Sequence, residues 1–187
     1  VGCSNCMVLR FSRTGELQYT VDHGARVLAL AVLPSGFLAS AGGSTSMFAI
    51  SGFHINIWDG RDFVAKLSAH GGSVRCLAAF PSGLLASGSW DSTVKVWEDV
   101  SKVVSAREGH RKTALALAVF PDGRLASGGE DKVVIVWNDD GSIQHKLVGH
   151  TKSVAALAVL PDGRLASAGF DKLVKIWDSD GTCVLTM

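Results

Sequence analysis

No apolar run in this sequence is long enough to span a bilayer as a helix. The longest, Val27 to Leu33, Ala114 to Phe120 and Val154 to Leu160, cover seven residues each, against the roughly 20 that a membrane helix needs. Charge is sparse and balanced: 19% of residues are charged, and 18 Lys and Arg face 17 Asp and Glu for a formal charge of +1. That leaves no surplus positive field for nucleic acid or an anionic membrane surface, so neither is an expected partner. Cysteine is scarce too. Four in 187 residues are too few for a disulfide scaffold, which makes a cytoplasmic or other reducing intracellular compartment the expectation. Cys3 and Cys6 form a CxxC, but no second CxxC or closely spaced histidine pair completes a zinc site. Cys76 and Cys183 lie in apolar, strand-like runs where a small buried thiol is ordinary. The opening VGCSNCMVLRFSR has no initiating Met, basic leader or long apolar core. It is expected to be no signal peptide but a start within a longer chain.

What the chain has is apolar weight, 47% of residues, and 21 glycines; that composition excludes disorder for most of its length. There are only four prolines, and all sit in equivalent strings: LPSGFLAS, FPSGLLAS, FPDGRLAS and LPDGRLAS place them at 34, 81, 121 and 161. Histidines 23, 70, 110 and 150 each precede a proline by eleven residues, and tryptophans 58, 97, 137 and 177 recur at spacings of 39, 40 and 40. Such recurrence marks a repeat architecture.

One unit contains four short strands. SVAALAVL after His150 is apolar and rich in small residues, as a strand crowded on both faces should be. It ends at Pro-Asp-Gly, where Pro presets φ, Asp caps the turn and Gly accepts positive φ. Leu-Ala-Ser begins a second strand, and a Gly-rich turn containing Asp leads to a third, Val133 to Trp137, heavy in β-branched residues. Both faces of that strand are apolar, so each sheet is expected to lie between two neighbours. A looser fourth strand, Ser142 to Val148, suits an outer edge. A helical solenoid is the competing reading of ALALAV, but seven residues bounded by Pro-Asp-Gly are too short for it.

With these residues the chain resembles the WD-repeat (WD40) family of β-propellers over nearly its whole length. The family pattern is matched by Gly149-His150, Ser167, Asp171 and Trp177-Asp178 in the last unit. Gly109-His110, Ser127, Asp131 and Trp137 match in the unit before, with Asn138 where Asp is usual; His70, Ser87, Asp91 and Trp97 match one unit earlier, with Ala69 for Gly and Glu98 for Asp. The resemblance implies an all-β propeller of about four and a half blades of four-stranded antiparallel sheet, part of a ring of about seven. The blades would be 1–22 (third and fourth strands of a truncated blade), 23–68 (carrying a long turn insertion), 69–108, 109–148 and 149–187. Missing residues are the favoured account of the open ring, with self-association or another chain completing it as the alternative. The resemblance also implies structural tetrads in which Asp and Ser bracket the imidazole and the Ser hydroxyl reaches the indole N–H. A His, Ser and Asp together invite a hydrolase reading, but a Trp in every set and threefold recurrence argue for a staple instead.

The first full unit departs from the pattern. Ser40 to Trp58 is 18 residues where Ser87 to Trp97 is ten, and the tetrad Asp position six before Trp58 is Gly52. This blade, with His23, Ser40 and Trp58 but no acid, is expected to be the least rigid. The inserted stretch, Gly42 to Phe53, contains Met47, Phe48 and Phe53 and is either a contact loop or a packed insertion. In the opening segment Phe11 takes the Trp position and Asn5 the Asp position.

The resemblance implies a non-catalytic scaffold or adaptor with no cofactor and no metal, whose partners are other proteins or peptides. Partners of such propellers engage the face bearing the turns between second and third strands. Before each tetrad Asp on that face stand Trp90, Glu130 and Phe170, and large exposed aromatics mark binding hot spots. Arg26 and Arg75 are expected at the same rim, joined by Arg111, Lys112, Lys132, Lys152 and Lys172; Phe48 and Phe53 complete the candidate contacts. The alternatives are a structural subunit of a large assembly and a substrate-recognition adaptor of a ubiquitin ligase reading a phosphopeptide or ubiquitin.

Overall fold

A computed structural model describes residues 6–43, 53–68, 70–98 and 102–187. Among these residues the chain is all β, with no helix. β1 (Met7–Phe11) and β2 (Leu17–Asp22) pair as a two-stranded sheet. Four sheets of four strands follow, each a simple antiparallel meander. They are β3 (Val27–Val32), β4 (Leu38–Gly42), β5 (Ile55–Asp59) and β6 (Asp62–Leu67); β7 (Val74–Ala79), β8 (Leu85–Ser89), β9 (Thr93–Glu98) and β10 (Lys102–Glu108); β11 (Ala114–Val119), β12 (Leu125–Gly129), β13 (Val133–Trp137) and β14 (Ile143–Val148); and β15 (Val154–Val159), β16 (Leu165–Gly169), β17 (Val174–Trp177) and β18 (Cys183–Thr186). Among the described residues the sheets do not close into a ring.

The register repeats down to its irregularities. Every first pairing carries a bulge at the same place, between Val27 and Ala29, Val74 and Cys76, Ala114 and Ala116, and Val154 and Ala156. Leu28, Arg75, Leu115 and Ala155 are therefore the extra residues, and a bulge re-aims the side chain it carries. The Pro-Ser-Gly and Pro-Asp-Gly turns place Gly36, Gly83, Gly123 and Gly163 at φ between 85° and 95°, where a Cβ would be strained. Just past each tetrad Asp, Ser92, Lys132 and Lys172 take φ of 68°, 70° and 69°, and Cys6 takes 71° at the start of the two-stranded sheet. Asn5, one residue earlier, lies outside the described residues.

Core side chains lie between sheets. Ile55, Ile57 and Leu67 meet Val74, Leu85 and Trp97; Val94 and Val96 meet Ala114, Leu125 and Trp137; Val134, Val136 and Leu147 meet Val154, Leu165 and Trp177. Val8 and Val21 of the two-stranded sheet pack on Val27 and Trp58. Because each second strand packs against the next sheet, small residues are required there. A Cβ on Gly128 would sit 2.7 Å from Val154 Cγ1, and one on Gly88 2.6 Å from Cys76 Sγ and 3.0 Å from Ala114 Cβ. On the last sheet no described sheet follows, and Ala155, Ala156 and Ala158 are exposed. Cys183, expected to be buried, is exposed because it lies on the outer strand β18, as Phe63 and Ile143 do at the same place of other outer strands. Cys76 is buried as expected.

Candidate functional site

Three sheets hold the same four side chains in one geometry. Trp97 Nε1–H donates to Ser87 Oγ at 2.8 Å, Ser87 Oγ meets His70 Nε2 at 2.7 Å, and His70 Nδ1 meets Asp91 Oδ2 at 2.8 Å. With the indole donating to the hydroxyl oxygen, Ser O–H is free to donate to Nε2, and the Nδ1–H donates to the carboxylate. Trp137, Ser127, His110 and Asp131 repeat this at 2.8, 2.8 and 3.0 Å, and Trp177, Ser167, His150 and Asp171 at 2.8 Å throughout. The Ser hydroxyls are 0–1% exposed. A buried hydroxyl engaged by both Trp and His has no room to attack a substrate, so the set works as a staple.

Each carboxylate also receives backbone N–H groups: Gly71 to Asp91 at 2.8 Å, Arg111 to Asp131 at 2.9 Å and Thr151 to Asp171 at 2.9 Å. Burial works to raise these carboxyls, and the donors overcome it. Hydrogen bonds from His70 and Thr93 hold Asp91 below the usual range, those from His110 and Arg111 do so for Asp131, and those from Thr151 and His150 bring Asp171 to about 2. Gly129 and Gly169 permit the closeness, since a Cβ on either would lie 2.7 Å from a histidine Nδ1.

The first four-stranded sheet is built differently. Trp58 donates to Ser40 Oγ at 2.8 Å, but His23 presents Nδ1 rather than Nε2 to that serine, also at 2.8 Å. Asn56, directly opposite Ser40 in the register, reaches His23 Nδ1 at 3.3 Å and the His23 carbonyl at 3.1 Å. His54 stacks on the ring. His23 Nε2 and Asn56 Oδ1 are buried without a partner. Gly52, Met47 and Phe48 lie outside the described residues, as does Ala69; Phe53 is half-buried.

Above the tetrads, the turns between second and third strands are tied to the entry of the first strand. Trp90, Glu130 and Phe170 N–H donate to the carbonyls of Ser73, Thr113 and Ser153 at 2.9–3.0 Å, and Gly43 N–H donates to Arg26 at 3.2 Å. The side chains at these tips differ. Phe170 is 64% exposed and Glu130 is exposed, whereas Trp90 is half-buried with the Arg75 guanidinium 5.7 Å from its ring centroid. Gly72 backs the indole, since a Cβ there would come within 3.0 Å of Trp90 Cβ. Arg26, Arg111, Lys112, Lys132, Lys152 and Lys172 are exposed at the same ends of the strands.

His54, Asn56 and Arg107 escaped the sequence reading. Arg107 is 4% exposed, where Leu67 and Leu147 stand in neighbouring units; alignment of the repeats carries that signal. Its Nη2 donates to the Asp139 carbonyl at 3.3 Å, while Nε and Nη1 have no partner. No group of three or more His, Cys, Asp or Glu among the described residues is arranged to hold a metal.

The family model for the WD domain, G-beta repeat, matches residues 61–98, 101–138 and 141–178. Each matched window runs from the outer strand of one sheet to the third strand of the next. No curated protein matches the chain.

Proposed function

The chain belongs to the WD-domain, G-beta repeat family, and from that membership we propose that it is a non-catalytic platform binding a protein or peptide partner on the face carrying Trp90 and Phe170. WD-repeat proteins in general are protein-interaction scaffolds, mostly without catalysis of their own, and typically bind other proteins. No helix among the described residues is long and apolar enough to cross a membrane.

The observation that carries the choice of face is Phe170, a large aromatic held 64% exposed at the tip of a turn whose backbone is fixed by its own hydrogen bonds. Nothing in the fold requires a phenyl ring there, since Glu130 occupies the equivalent tip. An exposed aromatic on a rigid support has the composition of a binding hot spot. Arg26, Arg75, Glu130 and Phe53 are assigned to the same contact region.

The test compares proteins captured by the wild-type chain with those captured by the Trp90→Ala, Phe170→Ala double variant, with thermal unfolding recorded for both. Loss of captured partners from a folded variant supports the assignment. An unchanged set of partners removes it, and hydrogen exchange protection of β18 and the other outer strands in the complex would then favour a structural subunit engaged at its rim.

A further inference from the structure

The formal charge of +1 conceals a separation of charge along the strands. At the end carrying Phe170 the exposed cations are Arg111, Lys112, Lys132, Lys152 and Lys172, with Arg26 in the first sheet. At the opposite end, the turns after the third strands carry Asp59, Asp62, Asp139, Asp140, Asp178 and Asp180. The cations of that acidic end are largely used locally: Arg124 pairs with Asp122 at 2.8 Å and Arg164 with Asp162 at 2.6 Å.

Among the described residues, the exposed cations named at the Phe170 end form no such pairs. Asp131 and Asp171 directly precede Lys132 and Lys172, and both, like Asp91 in the sheet of Arg75, are turned inward, occupied by a histidine and by backbone N–H groups. Among the described residues, neither Arg75 nor any of the exposed lysines and arginines of this end forms an ion pair or a side-chain hydrogen bond. Asp22, Glu108 and Glu130 are the exposed carboxylates there. Three of these six carboxylates are thus recessed and satisfied, while the exposed cations protrude.

Arg75 stands apart from the others. It occupies the bulge of its first strand, where the other units place Leu28, Leu115 and Ala155. It also lies over the Trp90 ring, which fixes a side chain that otherwise costs entropy to order on binding. Set beside an indole and, among the described residues, without an ion pair of its own, the guanidinium keeps its N–H groups available for a carboxylate.

We propose that this face binds an acidic, Asp- or Glu-rich peptide segment of a partner protein, with Arg75 on Trp90 as its anchor and the lysines of successive turns following the segment. This rests on the interaction face proposed above and adds the chemistry of the partner. One to three cations per unit, several of them at equivalent places, suit a charge distributed along a peptide better than a single phosphate, which calls for convergent arginines. The interspersed Glu130 and Glu108 oppose a continuous phosphate backbone.

The test is fluorescence anisotropy of the whole chain with four labelled probes: a Glu-rich peptide, the same peptide with Gln for Glu, a phosphoserine peptide and oligothymidylate. The Glu-rich peptide binds tightest, and more weakly as salt is raised. Arg75→Gln weakens it roughly tenfold, the loss of one charge-assisted hydrogen bond. Arg75→Lys keeps part of the affinity, and Lys146→Gln on outer strand β14 changes nothing. Equal binding of the Gln peptide, tighter binding of the phosphopeptide or the oligonucleotide, or no effect of Arg75→Gln overturns the proposal. Those outcomes leave the interaction face standing if the Trp90 and Phe170 variants still lose their partner; if those variants keep it, the face itself is wrong.

Discussion

His54 lies stacked on His23, ring centroids 5.0 Å apart and planes 20° from parallel, in the sheet where no described carboxylate bonds the tetrad histidine. In the other sheets an Asp accepts the Nδ1–H and fixes the ring with Nε2 toward serine. Without that acceptor, Nδ1 turns to Ser40 and Asn56, and Nε2 is left buried with no partner. The second imidazole stands four residues before Trp58, where the other sheets have Thr93, Val133 and Leu173.

Protonation of this pair opposes folding. Burial, then the neighbouring His54, lower His23 from 6.5 to about 4, with Asp22 working the other way; burial and Lys66 lower His54. Below pH 6.5 the unfolded chain therefore takes up protons that the folded one resists. Stability is expected to fall as pH drops from 6.5 to about 4. Urea midpoints across that window should show the slope in the wild type and lose most of it in His23→Gln, His54→Gln.

Ser127 is shared between Trp137 and His110 and is 0% exposed. Removing its hydroxyl strands an indole N–H and an imidazole nitrogen together, and each buried orphan costs about 1–3 kcal/mol. Ser127→Ala should lose roughly 2–4 kcal/mol in denaturant unfolding, far more than a surface Ser→Ala such as Ser142→Ala.

Arg107 is a charge in an apolar position. Burial lowers its pKa against the raising influence of Asp140 and Asp139, and two of its nitrogens find no partner. Leucine stands at this place in two other sheets, so Arg107→Leu should raise the melting temperature, with a gain of about 1 kcal/mol or more. A lower melting temperature would mean that its bond to the Asp139 carbonyl outweighs the desolvation.

Gly128 lies between two sheets with no space for a methyl group. Its Cβ would fall 2.7 Å from Val154 Cγ1 and 3.0 Å from Val154 Cβ, and overpacking of this kind costs about 1–3 kcal/mol. Gly128→Ala should destabilise by that amount. Phe170→Ala, on an exposed tip, should stay within about 0.5 kcal/mol of the wild type, which makes it the cleaner variant for binding experiments than the half-buried Trp90.

The repeat was legible because every unit solves the same packing problem with the same residues: Pro and Gly at one turn, His, Ser and Trp around one hydroxyl, small residues where sheets touch. Strand β13 could be placed residue for residue from its β-branched run. The exposure of Cys183 could not, because an outer strand built of apolar residues looks in sequence like a buried one. Trp90 and Phe170 occupy one repeat position, and the spacing that places them there does not separate a half-buried indole with an arginine beside it from an exposed phenyl. His54 was hidden by the insertion before it, which breaks the spacing on which the pattern depends.

The sequence by itself determined the unit, its strands and the chemistry of the tetrads, since those depend on local spacing and turn geometry that recur along the chain. Tertiary structure decided which way each ring and charge points. Carboxylates adjacent to exposed lysines in sequence turn inward to histidine and backbone N–H groups, and a bulge lays Arg75 on Trp90. A count of charges that comes to +1 is thereby sorted toward opposite ends of the strands, because successive turns of an antiparallel meander fall alternately at one end and the other.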